Sequence, residues 1–244
     1  MRLSIIIPVL NSHEMVRRQL LHISKLNIPF KYEIIIVDDG SEVPLHTVKT
    51  PQSLPVRFIQ TYDTRPWTWA LARNRGAKEA QGEYLLMYDV DHYFNQDTID
   101  IFKDFTGCKI QFLREFGVLL EDGTTTQEID VLKDYGFPEE RYGSRRLKLS
   151  PLPNNFIMKR SVFMDIGGYR EDLVERTYPQ GEDRMFKKVW YNWERKTGQK
   201  CHWQRPTIYM IPNGYLLGDV DADPKGLFHT LTRKTRRNQK YVRV

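Results

Sequence analysis

Two aspartates one residue apart occur twice in this chain, as Asp89-Val90-Asp91 and as Asp219-Val220-Asp221. Two hard oxygen ligands with open positions suit Mg²⁺ or Mn²⁺ shared between protein and phosphate. The first copy ends an apolar run, EYLLMYD, so Asp89 emerges at a strand end and Asp91 follows as the chain bends. The second copy sits in DVDADPKGLFHT, which begins like a calcium loop. Pro224 replaces the glycine that such a loop needs at its sixth position, and Thr230 stands where its twelfth needs glutamate. It reads as an acidic turn. Glu182 and Asp183, in GEDRMF, open a helix, where the dipole favours carboxylates as caps and where a carboxylate in a cleft could serve as a general base. His229 is a lone histidine among apolar residues, of interest only if a metal site at Asp89 and Asp91 lacks a ligand.

The elements that must position these groups alternate. Strands are expected over residues 3–9, 33–39, 56–61 and 83–89, all rich in Ile, Val and Leu. Helices are expected from Ser12 to about Lys25 and over residues 67–80. Buried strands separated by helices predict a mostly parallel sheet covered on both faces. Further along, residues 97–105 read as helix and 109–120 as one strand. Residues 121–152 read as a long polar loop with at most short helices. Residues 155–160 read as strand, 182–196 as helix and 202–212 as strand. In open α/β sheets ligands bind beyond the carboxyl ends of strands. Four features fall there: Pro8–Asn11, Asp38–Asp39, Thr64–Trp67 (with Arg65) and Asp89–Asp91. Neither GxGxxG nor GxxxxGK[ST] occurs, so a dinucleotide fingerprint and a P-loop are unsupported.

The chain has 244 residues, 40% hydrophobic, 28% charged and 12% aromatic, which describes a globular protein. No window approaches the roughly 18 apolar residues that span a bilayer. MRLSIIIPVL reads as a first strand and not as a signal peptide, and the two cysteines lack any ligand spacing, which favours a reduced, cytoplasmic setting. Net charge is +6, and RKTRRNQKYVRV at residues 233–244 has bases and no acid. Such a tail suits DNA or an anionic membrane surface, or is a solvated terminus.

SIIIPVLNSHEMVRRQL, EIIIVDDGS, ALARNRGAKEAQGEYLLMYDVD, FIMKRSVFMDIGGYRED and GEDRMF follow in the order and approximate spacing of family 2 glycosyltransferases of the GT-A fold. The resemblance covers about residues 1–195. The later fragments also resemble galactosyltransferase and chondroitin-polymerase type enzymes. It implies an α/β, Rossmann-like, mixed and mostly parallel sheet flanked by helices in a single domain over residues 1–244. Within it, residues 1–95 would bind nucleotide-sugar, 96–228 would hold the acceptor and catalytic half, and 229–244 form the basic tail. It places Pro8 and Asn11 under the base, and Asp38 and Asp39 on uracil and ribose. Arg73 and Asn74 come near the diphosphate and sugar, and Arg65 joins this donor-binding set. Asp89 and Asp91 would bind ribose and Mn²⁺ or Mg²⁺, with Asp91 the more direct ligand and His229 a further one. Glu182 would touch a sugar and Asp183 would be the base of an inverting transfer. A glycan or lipid-linked acceptor leads, at the inner membrane face. Glycosylation of a hydroxylated DNA base, flipped onto Trp67, Trp69 or Tyr142, is a second reading. A non-catalytic sugar-nucleotide or glycan-binding module is a third.

Overall fold

The computed structural model describes residues 2–63, 68–142, 147–173, 181–201, 206–212 and 224–228. Its first half alternates as the apolar runs demand: β1 (Leu3–Val9), α1 (His13–Ile23), β2 (Tyr32–Asp38), β3 (Val56–Gln60), α2 (Trp69–Glu79) and β4 (Tyr84–Met87). Then come β5 (His92–Phe94), α3 (Gln96–Phe102), β6 (Lys109–Gln111), β7 (Leu113–Phe116), β8 (Val118–Leu119), β9 (Thr125–Thr126), α4 (Ile129–Asp134), α5 (Glu139–Tyr142) and β10 (Lys148–Leu149). The last elements are β11 (Phe156–Lys159), α6 (Arg160–Asp165), α7 (Gly181–Thr197) and β12 (Thr207–Met210).

The main sheet runs β3-β2-β1-β4-β11-β6. Its first four strands are parallel, and β11 and β6 add antiparallel pairings. The expected mixed, mostly parallel sheet is therefore present. Along β1 the side chains alternate between two cores. Ile5, Ile7 and Val9 join α1 on one face, whereas Ile6 packs with Ile35, Val37 and Leu85 on the other. The second face receives α2, α6 and α7 through Ala70, Ala72, Ala77, Phe163, Phe186 and Trp190. Because α2 presents mostly small side chains, it lies close to the sheet. A Cβ at Gly76 would meet Ile6 Cγ2 at 2.5 Å. That close seat sets how far the preceding turn of α2 reaches over the strand ends.

The stretch 109–120 is not one strand. It divides into β6 in the main sheet, β7 in a second sheet (β10-β7-β12-β5) and β8 in a hairpin with β9. Leu113 N–H donates to Pro206 O at 3.0 Å, so the chain leaves β11 for β12 at that point. No turn residue separates β6 from β7 in the sequence, and the choice of partner is tertiary. Residues 121–152 hold β9, α4, α5 and β10, more ordered structure than a loop. No helix among the described residues is long and apolar enough to cross a membrane.

Candidate active site

The site lies beyond the carboxyl ends of β1, β2 and β4, where β11, running antiparallel, begins. Arg73, in the second turn of α2, is its centre. The guanidinium is 1% exposed. Its Nη1 donates to Glu182 Oε1 at 2.8 Å, and its Nη2 donates to Asp89 Oδ1. The ring of Tyr169 lies under it at 5.2 Å. Arg73 thus joins the DVD segment to the GED segment, which are 93 positions apart in sequence (182 − 89). Burial pushes the Glu182 carboxyl above its usual range, with Arg73 pulling the other way.

Asp183 is the next residue on α7. Its carboxyl is also raised, by burial first, with Arg73 opposing and the nearby Asp89 adding to the rise. The buried Asn154 Nδ2 donates to Asp183 Oδ1 at 2.5 Å, and Tyr169 Oη donates to Asn154 Oδ1 at 3.0 Å. One carboxylate oxygen is thereby occupied, and a relay of two neutral groups sets the orientation of the other. Sequence reasoning passed over Asn154 and Tyr169. The signal was available in LPNNF, polar residues just before a buried strand, and in the tyrosine of GGY. Asn74 holds that tyrosine: its Nδ2 donates to Tyr169 O at 2.7 Å and its Oδ1 accepts from Tyr169 N–H at 2.9 Å. Asn74 therefore braces the GGY loop from within.

The DVD segment forms a tight turn, with His92 N–H donating to Asp89 O at 2.9 Å. Gln19, buried on α1, clamps it by donating to Val90 O at 3.3 Å and to His92 O. Asp89, Asp91 and His92 each offer one ligand atom, all within 4.8 Å of one another. His92 Nδ1 lies 2.7 Å from Asp91 Oδ1, and its buried Nε2 has no partner among the described residues. Two carboxylates on one turn, oriented by a histidine, fit a hard divalent cation. The histidine was legible as DVDH, but sequence reasoning looked instead to His229. His229, Arg65, the second DVD and the tail lie outside the described residues.

Asp38 and Asp39 are 1% and 0% exposed. Asp38 Oδ1 accepts from Ser41 N–H at 2.8 Å and Oδ2 from Leu45 N–H at 3.0 Å. Asp39 accepts from Thr68 Oγ1 at 2.6 Å. Both carboxylates shape the loop at the strand end. Asn11, at φ 54°, joins them: its Oδ1 accepts from Glu42 N–H at 2.8 Å. Pro8 lies within β1, opposite Val37.

Residues 4–103 match the family model described as glycosyl transferase family 2. The poly(ribitol-phosphate) beta-N-acetylglucosaminyltransferase TarS of Staphylococcus aureus is 31% identical over 104 residues, 41% of this chain and 18% of that protein. This chain thus spans less than a fifth of that relative in the matched region. The crystal structure of S. aureus TarS residues 1–349 with UDP-GlcNAc superposes with a TM-score of 0.56 at 19% identity, covering 78% of this chain and 53% of that one. The mannosyltransferase PcManGT of Pyrobaculum calidifontis, with GDP-Man and Mn²⁺, superposes at 0.58 and 15% identity, over 100% of this chain and 64% of that one. Residues 4–103 are therefore similar in sequence to the family 2 glycosyltransferases, and the chain has the GT-A fold of these solved structures.

Proposed function

We propose that the protein moves a sugar from a nucleotide-sugar, with a UDP-sugar the leading donor, to an acceptor hydroxyl, with inversion at the anomeric carbon. The observation that carries the reading is the Arg73 bridge, which brings a carboxylate pair suited to a cation and a carboxylate suited to a proton to one strand-end cleft. Known relatives add support. TarS is named for N-acetylglucosaminyl transfer and has been crystallised with UDP-GlcNAc, and PcManGT with GDP-Man and Mn²⁺.

In this reading Asp183 takes the proton of the acceptor hydroxyl as that oxygen attacks the anomeric carbon. Its raised carboxyl sits closer to neutral pH than a solvated aspartate, which strengthens it as a base. Asn154 occupies Oδ1 and turns Oδ2 toward the acceptor. Asp89 and Asp91, braced by His92, would hold Mn²⁺ or Mg²⁺, which neutralises charge on a departing diphosphate when bound. Arg73 holds Glu182 and Asp89 by hydrogen bonds, so that neither rotates into the space of the sugar. The acceptor is a saccharide or a lipid-linked glycan.

The test is Asp183→Asn. It keeps donor affinity by titration calorimetry and lowers turnover by roughly 10²–10⁴-fold, the usual contribution of a positioned base. Near-normal turnover would remove the base assignment. Acceptor-independent, Mn²⁺-dependent UDP release by the wild type separates an enzyme from a binding module.

A further inference from the structure

The chain's two cysteines stand 93 positions apart in sequence (201 − 108), and the fold brings them to one place. β6 is the last strand of the main sheet, and Cys108 stands immediately before it. Cys201 closes the turn that leaves α7: Gly198 N–H donates to Glu194 O at 2.9 Å, and Cys201 N–H donates to Glu194 Oε1 at 2.9 Å. Both side chains are thiols, 6% and 7% exposed, within the core that α2, α6 and α7 share with the sheet. Neither takes part in the chemistry proposed above.

Their contacts mirror each other. Cys108 Sγ donates to Lys200 O at 3.2 Å, and Cys201 Sγ donates to Lys109 O at 3.6 Å. Each thiol rests on the carbonyl of the residue beside the other cysteine. Exchanging Cys108 with Cys201 and Lys109 with Lys200 turns one contact into the other, which is the pattern of two antiparallel segments with the cysteines directly opposite. Opposed residues on antiparallel segments have Cα atoms about 4.5–5.5 Å apart, inside the range of roughly 4.4–6.8 Å that a disulfide spans. Lys109 completes the group, with its Nζ 4.6 Å from the Trp190 ring and 5.7 Å from the Phe156 ring. Burial raises both thiols above their usual range, and the Lys109 ammonium pulls each back toward the thiolate, the form that reacts. A metal does not suit the pair, because no third His, Cys, Asp or Glu among the described residues stands with it at ligand distance.

We propose that Cys108 and Cys201 are a redox pair, closed to a disulfide by a low-molecular-weight disulfide such as oxidised glutathione. The Cys201 thiolate attacks one sulfur of the reagent, whose S–S bond breaks, and one thiol leaves with the electron pair and takes up a proton. The Cys108 thiolate then attacks Cys201 Sγ in the mixed disulfide, and the second thiol leaves. The protein gives up two electrons and two protons, and the reagent gains them as two thiols. The new bond ties the exit of α7 to the outer edge of the sheet, at the end of the helix remote from Glu182 and Asp183. It closes a loop of 93 positions, so it restricts the unfolded chain far more than the folded one and makes the oxidised protein the more stable. The pair stands independently of the glycosyltransferase reading.

The test brings the whole chain to equilibrium in glutathione buffers of increasing oxidised share, once folded and once in urea, and quenches each sample with an alkylating reagent. Intact mass and peptide mapping count the thiols and locate the bond. We expect one bond joining the Cys108 and Cys201 peptides, no reagent taken up by the oxidised protein, and full reversal by dithiothreitol. The folded chain should favour closure about 100-fold more than the chain in urea, because whatever stability the bond adds appears in that ratio. Thermal unfolding should rise by roughly 5–10 °C on oxidation, and Cys108→Ser and Cys201→Ser should show no such rise. Two alkylated thiols in the folded chain at the most oxidising buffer overturn the proposal. So does glutathione retained as a mixed disulfide on either cysteine, a bond between two chains, or an oxidised protein that unfolds no higher than the reduced one. The mapping and the folded-to-urea ratio are read on the wild type, so they decide the matter even where a serine variant fails to fold.

Discussion

Replacing Arg73 by Met keeps the length of the side chain and removes its charge and all its donors. Two carboxylates then lose their partner. Asp89, with about a quarter of its side chain exposed, recovers solvation from water. Glu182, with 10% of its side chain exposed, cannot. Leaving a buried charge without its partner costs about 3–5 kcal/mol, and we expect about 4 kcal/mol here, dominated by Glu182. For a chain of this length that corresponds to a fall in Tm of roughly 10 °C. The sign of the pH dependence follows from Glu182. Its carboxyl is already raised by burial, and losing Arg73 removes the first opposing influence, so the folded value rises further. The folded state then holds a proton that the unfolded state releases, so stability is recovered as pH falls through the folded value and lost as it rises. A double-mutant cycle completes the argument. Adding Glu182→Gln to Arg73→Met should restore about 1–3 kcal/mol, whereas Glu182→Gln alone should destabilise. Urea denaturation at pH 5 and pH 8 reads all four proteins. A loss below about 1 kcal/mol for Arg73→Met, or no recovery in the double variant, would refute the view that Arg73 is the electrostatic keystone of the cleft.

Three further expectations concern the same cleft. Asp91→Asn should abolish the Mn²⁺-dependent part of the thermal shift given by UDP, and His92→Ala should weaken Mn²⁺ by about 10–100-fold in direct titration, as loss of an orienting partner does; Asp219→Ala should cost far less activity than Asp91→Ala. Gly168 has φ +64°, and a Cβ there would meet Asn74 Oδ1 at 2.5 Å. Gly168→Ala should therefore lower both stability and turnover, whereas Gly167→Ala, at φ +80° with nothing within 4 Å of its Cβ, should cost only the left-handed backbone term of about 1–2 kcal/mol. Because Asn154 donates to Asp183 and favours its charged form, Asn154→Ala should move the acid limb of the pH–rate profile upward, and an unmoved limb with reduced turnover would assign Asn154 a purely structural part.

Much of this protein is written locally. The runs at β1, β2 and β4 are almost wholly apolar, and such runs between helices have few uses other than a buried parallel sheet. The sheet's carboxyl edge, and the carboxylates standing on it, could therefore be located without coordinates. Where a segment's character fits more than one partner, the sequence is silent. KIQ and LREF follow one another within a single run of strand-forming residues, yet they lie in different sheets, because pairing energy depends on which edge is offered and not on the strand alone. The functional pairs follow the same division. Asp89, Asp91, Glu182 and Asp183 were visible as types and spacings. That one arginine joins both pairs, that a histidine braces Asp91, and that an asparagine orients Asp183 depend on contacts across 16 to 109 positions or on a turn's exact path. Charge on α7 shows the same limit. Its composition was plain, but only packing against the sheet determined which face is buried and so left its acids inside and its bases in solvent.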